Sequence, residues 1–179
     1  MALKPGTRMG HTLSDSERRA WLRLARTAQV GPVTFAQLIA RFSSASQALA
    51  ELPRLARRGG ARAFEIQDEE EAAREIEATQ KIGGRIIASC EPEFPPGLAA
   101  LTPAPPMISL LGHAGLLRRE MIAIVGARNA SALGRRLAGT LARDLAEAGL
   151  VVVSGLARGI DAAAHEAAPA GTTAVVGGI

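Results

Sequence analysis

Residues 121–165 read MIAIVGARNASALGRRLAGTLARDLAEAGLVVVSGLARGIDAAAH, and the changing period of their apolar residues decides the fold. Ile122, Ala123, Ile124 and Val125 form a continuous apolar run, which predicts a strand buried on both faces. Leu133, Leu137, Leu141 and Leu145 recur every four residues and predict a helix ending near Gly149. LVVVSG (150–155) predicts a second buried strand, residues around Ile160–Ala168 a short helix, and Thr172–Gly178 a third strand. Strand and helix in alternation predict an α/β domain with a doubly wound parallel sheet and right-handed crossovers. Three strands and two helices leave one side of such a sheet uncovered, so the domain is expected to be truncated within these 179 residues.

Two glycine turns interrupt the pattern. The first, Gly126-Ala127-Arg128-Asn129-Ala130-Ser131-Ala132-Leu133-Gly134, falls at the carboxyl end of a predicted parallel strand, where open α/β sheets bind ligands. The helix that follows offers free N–H groups and a positive dipole end. Gly126 allows a sharp turn, Ser131 can cap the helix or donate to a phosphate, and Arg128 can grip a phosphate bidentately. The second turn, Ser154-Gly155-Leu156-Ala157-Arg158-Gly159-Ile160-Asp161, occupies the same place after the next strand and adds Arg158. Side by side, the two make one basic crevice lined with N–H groups. The spacing fails both G-x-G-x-x-G and G-x-x-x-x-G-K-[ST], and no acidic residue ends the second strand to hold a ribose. A dinucleotide or P-loop ATP site is therefore not expected, and no cofactor is.

Upstream, the periodicity predicts a helical domain over 14–82, after a disordered leader over 1–13. Ser14 and Glu17 are spaced as a capping box. Phe35, Leu38, Ile39 and Phe42 mark an amphipathic helix after the Gly31-Pro32 turn, Ser46 is placed to cap a third helix, and a fourth runs from about Asp68 to Lys81. VGPVTFAQLIARF (30–42) resembles the glycine hairpin of helix-hairpin-helix and SAM-like modules; a tight turn between packed helices is the simpler reading. A second domain over 83–179 opens with strands at 85–89 and 107–112. Between them lies a proline-rich connector, 90–106, expected to be extended. The core of this domain starts at Met121.

The composition is 47% hydrophobic and 21% charged, enough for a buried core. The net charge of +4 favours anionic partners, and the cations are arginines apart from Lys4 and Lys81. GC-rich coding accounts for such a bias equally well. Aromatics are only 3%, so stacking on bases would fall to few rings or to arginine. No apolar run is long enough to span a bilayer, no secretory signal is present, and Cys90 is the single cysteine, which together point to the cytoplasm. One cysteine and three scattered histidines predict no metal site. Asp161 and His165, four apart on a helix, could form an oriented base, but a structural role is the commoner one for such a pair.

The combination AIVGARNASALG, VVVSGLARGIDAAAH and TTAVVGG strongly resembles the DNA-processing protein family DprA, also called Smf. Gly126, Ala127 and Arg128 match the family's G-[ST/A]-R turn. Ser154, Gly155, Ala157, Gly159, Ile160, Asp161, Ala164 and His165 match its S-G-x-A-x-G-[IV]-D-x-x-A-H. FPPGLAALTPAPPMISLLG is similar to the family's proline-rich connector, with Phe94 replacing a tyrosine, and the N-terminal helices suit its SAM-like domain. The resemblance implies a Rossmann-like domain that binds single-stranded DNA and helps load the recombinase RecA during natural transformation, without turnover chemistry. It implies DNA contacts from Gly126, Ala127, Arg128, Ser131, Gly134, Ser154, Gly155, Ala157, Arg158 and Gly159. It also implies a homodimer in the full-length form, and a RecA contact beyond residue 179. Two departures are the short EAAPAG segment after His165 and the early end of the domain. The competing readings are a lysine-decarboxylase-like nucleotide hydrolase, whose P-G-G-x-G-T loop is absent here, and a structural or partner-binding module.

Overall fold

The computed structural model describes residues 10–59 and 65–177. The chain divides into two compact units, Met1–Gly112 and His113–Ile179.

The first unit is built from α1 (Asp15–Arg26), α2 (Pro32–Phe42), α3 (Ala45–Gly59) and α4 (Glu69–Lys81), followed by β1 (Arg85–Ala88) and β2 (Met107–Leu110). Its core gathers Trp21, Leu24, Val30, Phe35, Leu38, Leu49 and Leu52. The Trp21 and Phe35 rings meet edge to face, with centroids 5.0 Å apart. A satellite cluster of Leu22, Ala72 and Ile86 joins α1 and α4 to β1.

The expected capping box is only half made. Ser14 Oγ accepts from the Glu17 N–H at 3.2 Å, but the Glu17 carboxylate turns away to another helix. It accepts the Ala45 and Ser46 N–H groups and the Ser46 hydroxyl (2.6 Å), so it caps the start of α3 from α1. The residue that caps α3 locally is Ser44, whose Oγ accepts from Gln47 N at 3.2 Å, not Ser46 as the sequence suggested. Four helical donors lack partners at any N-terminus, and here a distant carboxylate competes for them better than a local hydroxyl.

β1 and β2 pair antiparallel, Arg85 opposite Leu110. The connector between them is not wholly extended. One helical turn, α5 (Pro96–Ala99), interrupts it, because proline at the first helical position loses no hydrogen bond. Glu91 in this connector is a buried anchor. Its carboxylate meets the Arg18 guanidinium at 2.6 and 2.7 Å and accepts from Leu13 N (3.1 Å) and Ala88 N (2.9 Å). Leu13, expected in a disordered leader, is thereby buried and tied down, while residues 1–9 lie outside the described residues. These contacts group residues 83–112 with the helices, so the compact units divide after Gly112, where the sequence reading had divided the chain at 83.

The second unit begins with a 3-10 turn (Ala114–Arg118) and continues as β3 (Met121–Ala123), α6 (Ala132–Glu147), β4 (Val151–Ser154), α7 (Ile160–Ala167) and β5 (Thr172–Ala174). The three strands are parallel, in the order β3-β4-β5. A doubly wound sheet reverses its strand order once, and no reversal falls among the described strands. Successive right-handed crossovers in one direction put α6 and α7 on the same face, where Ala142, Val152, Ala164 and Ala168 form their shared core. β4, in the centre, is buried as expected. β3 is not: Met121, Ile122 and Ala123 are exposed, because β3 is an edge strand with one neighbour. Leu133 (76% exposed), Leu137 and Leu141 likewise face outward from α6, leaving Ala138 and Ala142 to make its buried seam. The third strand is shorter than the predicted Thr172–Gly178, and Gly178 lies outside the described residues.

Candidate nucleic-acid interface

The two glycine turns leave neighbouring parallel strands, and the structure locks them together. Gly159 has φ +93°, a conformation that side-chain-bearing residues rarely adopt. A Cβ there would strike the Ala127 carbonyl oxygen and come within 2.6 Å of the Arg128 carbonyl oxygen, so the second turn presses directly onto the first. At Gly126 a Cβ would lie 2.7 Å from Ile160 Cγ1, so the first turn is shaped to receive the second. The Ile160 N–H donates to Ala127 O at 3.3 Å and completes the junction. Ile160 is thus the residue that sequence reasoning undervalued: it was noted only as a motif match, and its branched side chain also packs near Gly134.

The individual candidates separate into two kinds. Ser131 caps α6, its Oγ accepting from Gly134 N at 3.1 Å. Ser154 is buried, and its hydroxyl donates to Ile124 O at 2.6 Å, tying the ends of β3 and β4 together. Both hydroxyls are therefore engaged in building the turns. Gly155 and Ala157 are bound within the second turn, where Ala157 N donates to Gly155 O at 2.6 Å. Arg128 and Arg158 are exposed, and neither guanidinium has a hydrogen bond or ion pair with the described residues. Arg135 extends this edge; its Nη1 donates to Ala130 O at 3.2 Å. The crevice is therefore a rigid backbone floor with mobile cations at its rim.

Asp161 and His165 do not form the acid–base pair that their spacing allows. His165 Nδ1 lies 2.6 Å from Thr172 Oγ1, and Thr172 donates onward to Val152 O at 3.0 Å. A carbonyl can only accept, so Thr172 must accept from His165, which fixes the proton on Nδ1. Asp161 is buried, with Oδ2 closing against Gly155 and Oδ1 without a hydrogen-bond partner. Among the described residues no group of three or more His, Cys, Asp or Glu side chains is arranged to hold a metal ion. No described helix is long and apolar enough to cross a membrane.

A basic, glycine-built floor at the carboxyl ends of parallel strands defines an α/β protein of the anion-binding kind. Comparison with known proteins narrows the class. The chain belongs to the family described as DNA recombination-mediator protein A, which matches residues 85–179, and a DprA-like N-terminal HHH domain matches residues 15–78. A putative DNA processing protein DprA from Mycobacterium tuberculosis is 34% identical over 86% of this chain and 43% of its own length. The crystal structure of DNA processing protein A from Streptococcus pneumoniae superposes with a TM-score of 0.52 at 33% identity, covering 61% of this chain and 38% of that one. DNA processing protein A from Helicobacter pylori, described for its single-stranded DNA binding mode, is 35% identical over 44% of this chain and 37% of its own, with a TM-score of 0.42. The chain thus spans less than half the length of these relatives.

Proposed function

We propose that this protein binds single-stranded DNA in the crevice between its two glycine turns and acts as a recombination mediator on DNA taken up in natural transformation. The observation that carries the reading is the contact of Gly159 with Ala127 and Arg128, which merges two N–H-lined turns into one site with two unengaged arginines at its rim. Arg128 and Arg158 grip phosphates. Gly126, Ala127, Gly134, Gly155, Ala157 and Gly159 bring the backbone close to them, and Ser131 and Ser154 hold that backbone in place. A polymer suits this site better than a free nucleotide, because the rim supplies charge without a carboxylate positioned for a ribose. Loading of RecA, homodimerisation and residence in the cytoplasm follow from the family resemblance as parts of the same proposal. So do a DNA-handling domain from 83 onward and a helical domain over 14–82.

Fluorescence anisotropy with labelled oligo-dT and a matched duplex tests it. Binding should favour the single strand and weaken steeply as salt rises, because bound counterions are released. Arg128→Ala should weaken binding across sequences and flatten the salt dependence by about 0.7 in log–log slope, the value for one single-strand phosphate contact. Unchanged affinity in the variant sinks the assignment of the site.

A further inference from the structure

We propose that the first unit carries a second contact for single-stranded DNA, in the open cleft of about 470 Å³ lined by Arg41, Phe42, Gln47, Glu51, Arg54 and Leu55. The polymer is taken from the reading above; the site is independent of it. Phe42 ends α2 and packs one side against the helical core, which fixes its ring. The Arg41 guanidinium carbon lies 5.2 Å from that ring's centroid. An arginine and a phenylalanine so placed form a platform for an unpaired base, which stacks on aromatic rings and guanidinium planes alike. The stretch thereby supplies one of the few rings in a chain that is only 3% aromatic.

Phosphate-binding charge lies beside the platform. Arg54 lines the cleft, and Arg57 follows three residues later on the same side of α3, exposed. In sequence, five arginines and no carboxylate occur from Leu52 to Phe64. The single carboxylate in the cleft, Glu51, stands 3.5 Å from Arg54 in an exposed pair, which costs little to exchange for phosphate. The α3 N-terminus is not the attraction, since its first N–H groups already serve Glu17 and Ser44.

The test uses the full chain with a dT oligomer carrying 5-bromodeoxyuridine, ultraviolet crosslinking and peptide mass spectrometry. Crosslinks are expected at Phe42 or Arg41 as well as in the glycine turns. Arg41→Ala combined with Arg54→Ala replaces exposed side chains, so it should leave the melting temperature unchanged. It should weaken oligo-dT binding about five- to tenfold at low salt and flatten the salt slope by about 1.4 for two lost phosphate contacts. Glu51→Gln should strengthen binding about twofold. Crosslinks confined to the turns, with unaltered affinity in the double variant, overturn this second site and leave the first standing. Absence of any binding by the wild type overturns both. Equal competition by duplex for the Phe42 crosslink overturns the stacked base, and competition by an acidic peptide alone points to a protein partner instead.

Discussion

At the scale of single residues, glycine carries more of the site than arginine does. The arginines at the rim are replaceable one at a time, whereas Gly159 is bounded by backbone on the opposite turn, which has no side chain to move aside. Gly159→Ala is expected to destabilise the second unit by at least about 1–3 kcal/mol, the usual scale of strain at a positive-φ position, with the carbonyl clash added to it. Thermal melting measures the loss, and oligo-dT binding should fall with it even though no charge has changed. Arg158→Ala should behave in the opposite way, with an unaltered melting temperature and weaker binding. These glycines were visible in the sequence as turn formers. What the sequence did not reveal is that each is small for the sake of the other turn, since that depends on two strands lying side by side. Ser131 and Ser154 show the same limit, because a hydroxyl's partner is a matter of tertiary geometry.

At the scale of elements, the Arg18–Glu91 pair joins α1 to the connector that follows β1, and Arg18 also donates to Ile86 O at 2.8 Å. Burial pushes the Glu91 carboxyl upward, but the Arg18 guanidinium and the Ala88 and Leu13 N–H groups outweigh it and hold the carboxyl below the ordinary glutamate range. A carboxyl depressed in the folded state stabilises the fold above its unfolded value, about 4.3, and the benefit is lost as pH falls through the folded value. Glu91→Ala should cost about 3 kcal/mol near neutral pH by stranding a partly buried arginine. The difference from wild type should shrink in acid; a constant difference from pH 7 to pH 3 in denaturant melts contradicts the assignment. Glu17→Ala should cost about 1 kcal/mol through the uncapped start of α3. Neither pairing was legible beforehand, because Arg18 and Glu91 are 73 residues apart, and Glu17 sits at a spacing that suits a local box better than a distant helix. The helices themselves were legible, since their apolar spacing is local.

At the scale of the whole chain, charge is organised differently in the two units. Every salt bridge between described residues lies in the first unit, from Arg18–Glu91 to Arg85–Glu93. In the second unit, seven arginines meet five carboxylates and form none among the described residues. That contrast suits a first unit held partly by ion pairs and a second whose cations are left for a ligand. The parallel sheet was readable from its period, yet the exposure of Ile122 was not. An apolar run predicts a strand but does not say whether that strand will have one neighbour or two.

The hydrogen bond from His165 to Thr172 gives the second unit a spectroscopic reporter of its own. An imidazole proton fixed on Nδ1 and shared with a hydroxyl exchanges slowly enough with water to give a separate, downfield nuclear resonance, far from the crowded amide region. With three histidines in the chain, a single Thr172→Val variant would assign it. Its loss on warming would follow the opening of β4, β5 and α7 alone, so the fraying of this one corner could be timed against global melting without any attached label.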